Sequence, residues 1–282
     1  MNDLNDYEFQ HGTMASSPEE RPRSRGWLIA GPLVIVAAAV TFYLVFGKRP
    51  LPAPVATTPA TAVANEPPRS LGGEAERVAV PPLAESDPLV RTLVRALSSH
   101  QTIAAWLATD GLIRNFTVTV ANIAEGVAPA KQLGALRPSA AFLVVERSGK
   151  PYIDPRGYNR YTTVADAVAS VDPAGAARLY ATLKPRIEEA AGELGLPAGR
   201  FDRVLEQAIV ALLRTPTPDG PLQVRPNDEG IGYGFVDGSL ERLSAAQKAL
   251  VRMGPRNARI IKTRLREIAL ALGIPPAQLP AE

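Results

Sequence analysis

Cysteine is absent from this chain of 282 residues, which excludes structural disulfides, thiolate metal sites and cysteine nucleophiles. Histidine is almost absent: there are only His11 and His100. They stand on opposite sides of a long apolar run, so they cannot meet in one site. Neither a histidine-based metal centre nor a histidine-based triad is expected. An excess of one charge is lacking too. The formal net charge is +3, so no global field calls for nucleic acid as a partner. There is no phosphate-binding glycine loop and no dinucleotide fingerprint, and no cofactor is expected. No repeat of fixed period is present.

What the sequence does have is a charge-free run over residues 27–46, WLIAGPLVIVAAAVTFYLVF. As a helix it would measure about 30 Å, the thickness of a bilayer's hydrocarbon core. Every face is apolar, which argues against a half-buried helix of a soluble domain. Trp27, Phe42, Tyr43 and Phe46 cluster towards its ends and suit the headgroup belts. Arg21, Arg23 and Arg25 precede it, while Lys48 and Arg49 follow and the next basic residue is Arg69. The positive-inside rule then places the N-terminus in the cytoplasm. The flanking GKRP lacks a small-x-small cleavage pattern, so the run reads as an uncleaved anchor of a bacterial inner-membrane protein. Residues 1–26 show no hydrophobic periodicity and read as a disordered cytoplasmic head. Residues 47–82 carry eight prolines among Ala, Thr and Val and read as a linker.

Residues 83–276 hold the foldable material, followed by a tail over 277–282. The expected fold class is mainly α with small β pieces (α+β), one N-terminal transmembrane helix and a soluble helical domain in the periplasm. Ser86-Asp87-Pro88 is a helix start. Asp110 is placed to cap a helix from Leu112 to about Ala124. Its β-branched run FTVTVANI is a poor helix by propensity, but the apolar period favours helix over strand. Phe142 to Val145, a turn at Ser148-Gly149 and a return through Tyr152-Ile153 predict a hairpin. Asp172-Pro173 opens a helix to about Leu194, which Pro185 should bend or split. Phe201 to Arg214 is strongly amphipathic. Leu222 to Val224 and Tyr233 to Val236 are candidate short strands. Ser244 opens a helix to Met253, and Pro255 starts the last one, to about Leu272.

Three stretches of that domain carry a resemblance: SDPLVR at 86–91, WLATDGLIRNF at 106–116 and RMGPRNARIIKTRLREI at 252–268. Together they resemble an uncharacterised proteobacterial family, a domain of unknown function in proteins with one N-terminal membrane span. The resemblance covers roughly residues 80–272. It implies the same membrane topology and brings no activity and no catalytic residue with it.

The leading candidate chemistry lies on the last helix. At 100° per residue Arg256, Arg259, Lys262 and Arg266 fall within about 120° on one face, free of Asp and Glu. Arg252 joins them only if the helix continues through Gly254-Pro255. Ala258, Ile261, Leu265, Ile268 and Leu272 fall opposite. A guanidinium-rich stripe suits an anionic envelope component such as a headgroup, a lipopolysaccharide phosphate or a peptidoglycan carboxylate, and the alternative is a solvated face. The start Gly254-Pro255-Arg256-Asn257 offers free N–H groups to an anion or is an ordinary turn. Tyr158 and Arg160, in a loop with Tyr152, Asp154, Arg156 and Tyr161, form a second binding candidate, against plain loop packing. Trp106 reads as core, with a sugar platform as the alternative. His100 stands at a helix end, where its charge would meet the carbonyl dipole. Glu188, Glu189, Glu193, Asp202 and Glu206 are the carboxylates available to a glycosidase, though such spacings are routine on helix surfaces. The expectation is therefore a membrane-anchored, non-catalytic binding or scaffolding module of the cell envelope, contacting an anionic component or another envelope protein. An envelope glycan hydrolase using paired carboxylates is the alternative. No metal site and no catalytic residue are assigned.

Overall fold

The computed structural model describes residues 70–129, 131–227 and 232–281, all within the compact unit that spans 66–282. The head, the apolar run 27–46 and most of the expected linker lie outside the described residues. Among the described residues no helix is long and apolar enough to cross a membrane.

The described chain is mainly helical with two small antiparallel sheets. Helices α1 (Asp87–Leu97), α2 (Gln101–Leu107) and α3 (Leu112–Ala124) come first. A hairpin of β1 (Val144–Arg147) and β2 (Lys150–Ile153) follows. Then come α4 (Thr162–Ala169), α5 (Pro173–Glu193) and α6 (Phe201–Leu213). A second hairpin pairs β3 (Val224–Pro226) with β4 (Tyr233–Phe235). The chain ends in α7 (Gly238–Glu241), α8 (Ala245–Val251) and α9 (Pro255–Ala271).

Local chemistry explains most of these boundaries. Ser148 and Gly149 both take positive φ, 51° and 71°, the backbone a two-residue hairpin turn requires. Ser244 and Gln247 form a reciprocal capping box at the head of α8. Asp172 caps α5 through the Gly175 N–H. Pro185 does not split α5. It is exposed, so its ring sits on the solvent side and the helix stays one element. The β-branched run of α3 is accommodated partly because the buried Thr117 hydroxyl donates to the Ile113 carbonyl at 2.8 Å.

The start of α3 corrects one expectation. Asp110 does not cap it; its side chain is exposed and reached by Arg91. The cap comes from α1 instead. Asp87 accepts from the Gly111 N–H at 2.7 Å and the Leu112 N–H at 2.9 Å. One turn on, Arg91 donates to the carbonyls of Leu107 and Thr109, closing the end of α2. Two residues of α1 thus fasten both sides of the α2–α3 turn. His100 also differs from expectation: it caps the N-terminus of α2, its Nδ1 accepting from the Thr102 N–H at 3.1 Å.

Residues 70–82, read as linker, run along α5 and are tied down. Gly72 donates to the Leu272 carbonyl, Gly73 to the Ala177 carbonyl and Glu76 to the Thr182 hydroxyl. Arg186 donates to the carbonyls of Val80 and Pro81. Leu71 is buried in the main core. Gly72 has φ +115°, and a Cβ there would stand 2.9 Å from Ala181 Cβ, so only glycine lets this strap lie so close.

Two hydrophobic cores result. The larger joins α1, α2, α3, α5, α6 and α9 around residues such as Leu107, Leu112, Phe201 and Ile209. The smaller joins the hairpins to α7 and α8 around Ile153, Val224, Phe235 and Val251. The hairpins meet where the Ile153 N–H donates to the Leu222 carbonyl at 2.9 Å. We expect Asp87→Ala to destabilise the fold by about 1–3 kcal/mol in urea denaturation, since it strands two N–H groups. Asp110→Ala should change stability by less than about 0.5 kcal/mol; equal losses would contradict this assignment.

Candidate functional site

The larger core is not filled. Between the helices lies a chamber of about 390 Å³. Its walls are Val90, Val94 and Leu97 of α1, Ile103 and Trp106 of α2, and the inner faces of α3, α5, α6 and α9. The apolar side of α9 that the sequence places opposite the basic stripe supplies Leu265, Ile268 and, just past its end, Leu272. Nearly every atom turned towards the space is carbon. The space is partly open to solvent, so without an occupant its hydrocarbon walls face water or have no partner atoms, at a cost to stability. The volume falls in the range of small-molecule pockets.

The three wall residues with polar tips keep those tips out of the space. The Ser98 hydroxyl bonds the Ser170 hydroxyl at 2.7 Å and accepts from the His100 N–H. The Tyr180 hydroxyl donates to Asp202 Oδ1 at 2.5 Å. Burial first, and that bond second, push the Tyr180 phenol far above its ordinary value. Asp202 also accepts from Lys184 Nζ at 2.5 Å and the Leu71 N–H at 3.1 Å, so it joins α5, α6 and the strap. Trp106 Nε1 is buried with no partner among the described residues. Trp106 is thus a wall of the chamber, not an exposed sugar platform.

The basic stripe is largely engaged within the chain. Arg259 pairs with Asp219. Lys262 Nζ donates to the Thr215 carbonyl at 2.7 Å, and burial, then the nearby Arg266, hold its ammonium below the usual lysine value. Arg266 donates to the Pro280 carbonyl. Arg256 is exposed. Arg252 lies off the stripe: Gly254 breaks the helix, and Arg252 stacks 5.1 Å over the Phe235 ring and donates to the Tyr233 carbonyl.

The head of α9 is covered rather than open. Tyr158 packs on Gly254, whose φ of +85° and lack of Cβ allow the contact, and burial raises its phenol. Asn257 donates to the Tyr158 carbonyl at 2.9 Å. Arg160 stacks on Tyr161 and Phe142 and donates to the Ala140 carbonyl. Tyr158 and Arg160 therefore serve the smaller core and its loop. Asp154 is taken by Arg156, whose guanidinium and backbone N–H hold its carboxyl below the ordinary range.

The carboxylates are dispersed in similar roles. Glu193 forms a two-bond pair with Arg114, which holds it below its usual value. Glu189 pairs with Arg186 at 2.9 Å, and Glu188 accepts from the Gly199 N–H. Glu206 lines a shallow surface hollow with Arg203 and Arg214. No group of three or more His, Cys, Asp or Glu placed to hold a metal occurs among the described residues.

The model of a family described as proteins of unknown function, DUF3014, matches residues 112–269. The chain belongs to this family. The DUF3014 match runs from the first residue of α3 almost to the end of α9, so it contains four of the six chamber walls and both hairpins. No curated protein and no solved structure matches the chain.

Two outcomes test these roles. Asp202→Ala leaves the buried Tyr180 phenol and the Leu71 N–H without their acceptor and Lys184 with only the Ser70 hydroxyl, and should destabilise by about 3 kcal/mol in urea denaturation; a loss below about 1 kcal/mol would remove Asp202 as the junction. Glu241 is held below the ordinary glutamate value by Lys248 and then by the Phe235 N–H. A depressed carboxyl adds stability above its unfolded value of about 4.3, and that contribution fades as pH falls through the lower folded value. The stability difference between wild type and Glu241→Gln should therefore shrink on acidification, and a pH-independent difference would contradict the assignment.

Proposed function

We propose that this protein is a membrane-anchored, non-catalytic binding module of the bacterial cell envelope whose helical domain carries an apolar ligand in its central chamber. One observation carries the reading: a space of about 390 Å³, partly open to solvent and walled almost wholly by hydrocarbon from six helices. An apolar occupant restores the missing contacts. The anchor rests on the charge-free run 27–46 and the arginines before it, which favour a cytoplasmic head and a periplasmic domain. The resemblance to proteobacterial single-span proteins points the same way.

Binding is preferred over glycan hydrolysis because Glu193 and Asp202 are spent on pairs that join elements and Glu189 is paired with Arg186 within α5. It is preferred over an anionic partner on α9 because Arg259, Lys262 and Arg266 already hold groups of the same chain. The test is the content of the chamber. Full-length protein should purify with about one equivalent of an apolar small molecule, seen by mass spectrometry of a solvent extract. Ala208 is buried on α6 and lines the space, so Ala208→Phe puts six further carbons into it. That variant should carry at most about half as much of the molecule while still melting cooperatively. Identical extracts from the two proteins would overturn the reading.

A further inference from the structure

We propose that the first residues of the strap, 70–73, are a latch coupled to the chamber: an apolar occupant favours the docked strap, and a peeled strap weakens binding. This rests on the apolar-ligand reading and adds its regulation. Attachment is the first argument. The Ser70 hydroxyl accepts from Lys184 of α5, and the Leu71 N–H donates to Asp202 of α6. The Gly72 N–H donates to the Leu272 carbonyl at the end of α9, and the Gly73 N–H to the Ala177 carbonyl of α5. One short stretch thus joins three helices that wall the chamber. Two of these bonds lead to the wall itself. Leu272 lines the space, and Asp202 also holds the hydroxyl of the wall residue Tyr180. Leu71 is buried in the same core as Tyr180, Leu183, Leu205 and Leu272.

Detachability is the second argument. From Gly72 to Pro82 no residue is buried, and the stretch forms neither helix nor strand. Leu71 at one end and Leu83 at the other are its buried anchors. Peeling residues 70–73 takes one leucine out of the core and breaks the four bonds just named, yet leaves every helix whole. Such a local opening lies well below global unfolding. With Leu71 withdrawn, the seam of α5, α6 and α9 is loosened behind Tyr180 and Leu272, and an apolar occupant loses contact and meets water. An occupant that binds the docked state more tightly must favour docking by the same factor.

The test uses Trp106 as its reporter. The chain has two tryptophans, so full-length protein carrying Trp27→Phe emits from Trp106 alone. With this protein in phosphatidylcholine vesicles, the neutral apolar dye N-phenyl-1-naphthylamine is titrated, and energy transfer from Trp106 is plotted against free aqueous dye. The part of the transfer that Ala208→Phe removes is the chamber signal. Gly72→Val undocks the strap, since φ is +115° there and a Cβ stands 2.9 Å from Ala181 Cβ. It should raise the dye's dissociation constant at least about tenfold. Gly73→Cys with Arg178→Cys locks the strap. A Cβ on Gly73 stands 3.4 Å from Arg178 Cγ, the place a cysteine sulfur takes, and the chain has no other cysteine. The oxidised lock should bind the dye at least as tightly as the parent. Hydrogen exchange on the parent reads the coupling from the other side. Saturating dye should slow the Leu71, Gly72 and Gly73 amides by about the factor by which Gly72→Val weakens binding, and at least about tenfold if that variant does not fold. The amides of the β1–β2 hairpin, in the smaller core, should change less than about twofold. Strap amides indifferent to dye, a folded Gly72→Val protein with an unchanged dissociation constant, or weaker binding by the oxidised lock would overturn the latch and leave apolar binding standing. No chamber signal in the parent would overturn both.

Discussion

The constraint behind this structure is a bundle held open. Protein interiors normally pack to the density of organic crystals, and helices close on a void when nothing stops them. Here the stops are polar and lie at the periphery. Asp87 and Arg91 fix the turn between α2 and α3 against α1. Arg114 and Glu193 tie α3 to α5 with two hydrogen bonds. Asp202 joins α6, α5 and the strap through three donors. The Asp87 and Asp202 contacts are directional and largely buried, so they fix the spacing of the elements they join, while the more exposed Arg114–Glu193 pair follows it. The frame therefore sets the width of the chamber, and the apolar side chains set its chemistry.

The same view explains the basic face of α9. The inner side of α9 is held by the buried Asn257, Ala258 and Ala269 beside its chamber residues. Its outer side is fastened as well. Lys262 grips the Thr215 carbonyl, Arg259 pairs with Asp219 and Arg266 reaches the Pro280 carbonyl. Two segments, the connection after α6 and the C-terminal tail, are thereby fastened across the outside of the helix. Long cationic side chains suit this work because their stems cover apolar surface while their heads find carbonyls. On this account the stripe on α9 is a set of fasteners for a chamber wall.

Much of the local structure was legible in the sequence. The bounds of α3, the starts of α5 and α9 at prolines, the Ser148-Gly149 turn and the inner face of α9 all follow from period, caps and turn chemistry within a few residues. What was not legible depends on residues far apart. Asp110 has the position of a cap, but Asp87, more than twenty residues upstream, has the geometry. Residues 70–82 have a linker's composition, yet their hydrogen bonds come from Arg186, Thr182 and Asp202. Nothing in the linker's own sequence announces those partners except Gly72-Gly73, where a bare backbone permits close approach. The acceptors of Lys262 and Arg266 are backbone carbonyls, which have no sequence signature.

The chamber was illegible for a different reason. An apolar period says which face of a helix turns inward and says nothing of the distance to the next helix. Leu265, Ile268, Phe116 and Ile209 would show the same pattern in a filled core. Whether they touch each other or enclose a space is decided by the sum of their volumes against the frame spacing, a property of the assembled bundle. Trp106 shows the consequence at one residue. Its apolar neighbours correctly marked it as inward-facing, and its indole does form part of the wall. Yet its N–H is left without an acceptor, which a freely packed core would be expected to correct by a small rotation. The indole's orientation is set by the apolar side chains packed around it, and none of them offers an acceptor.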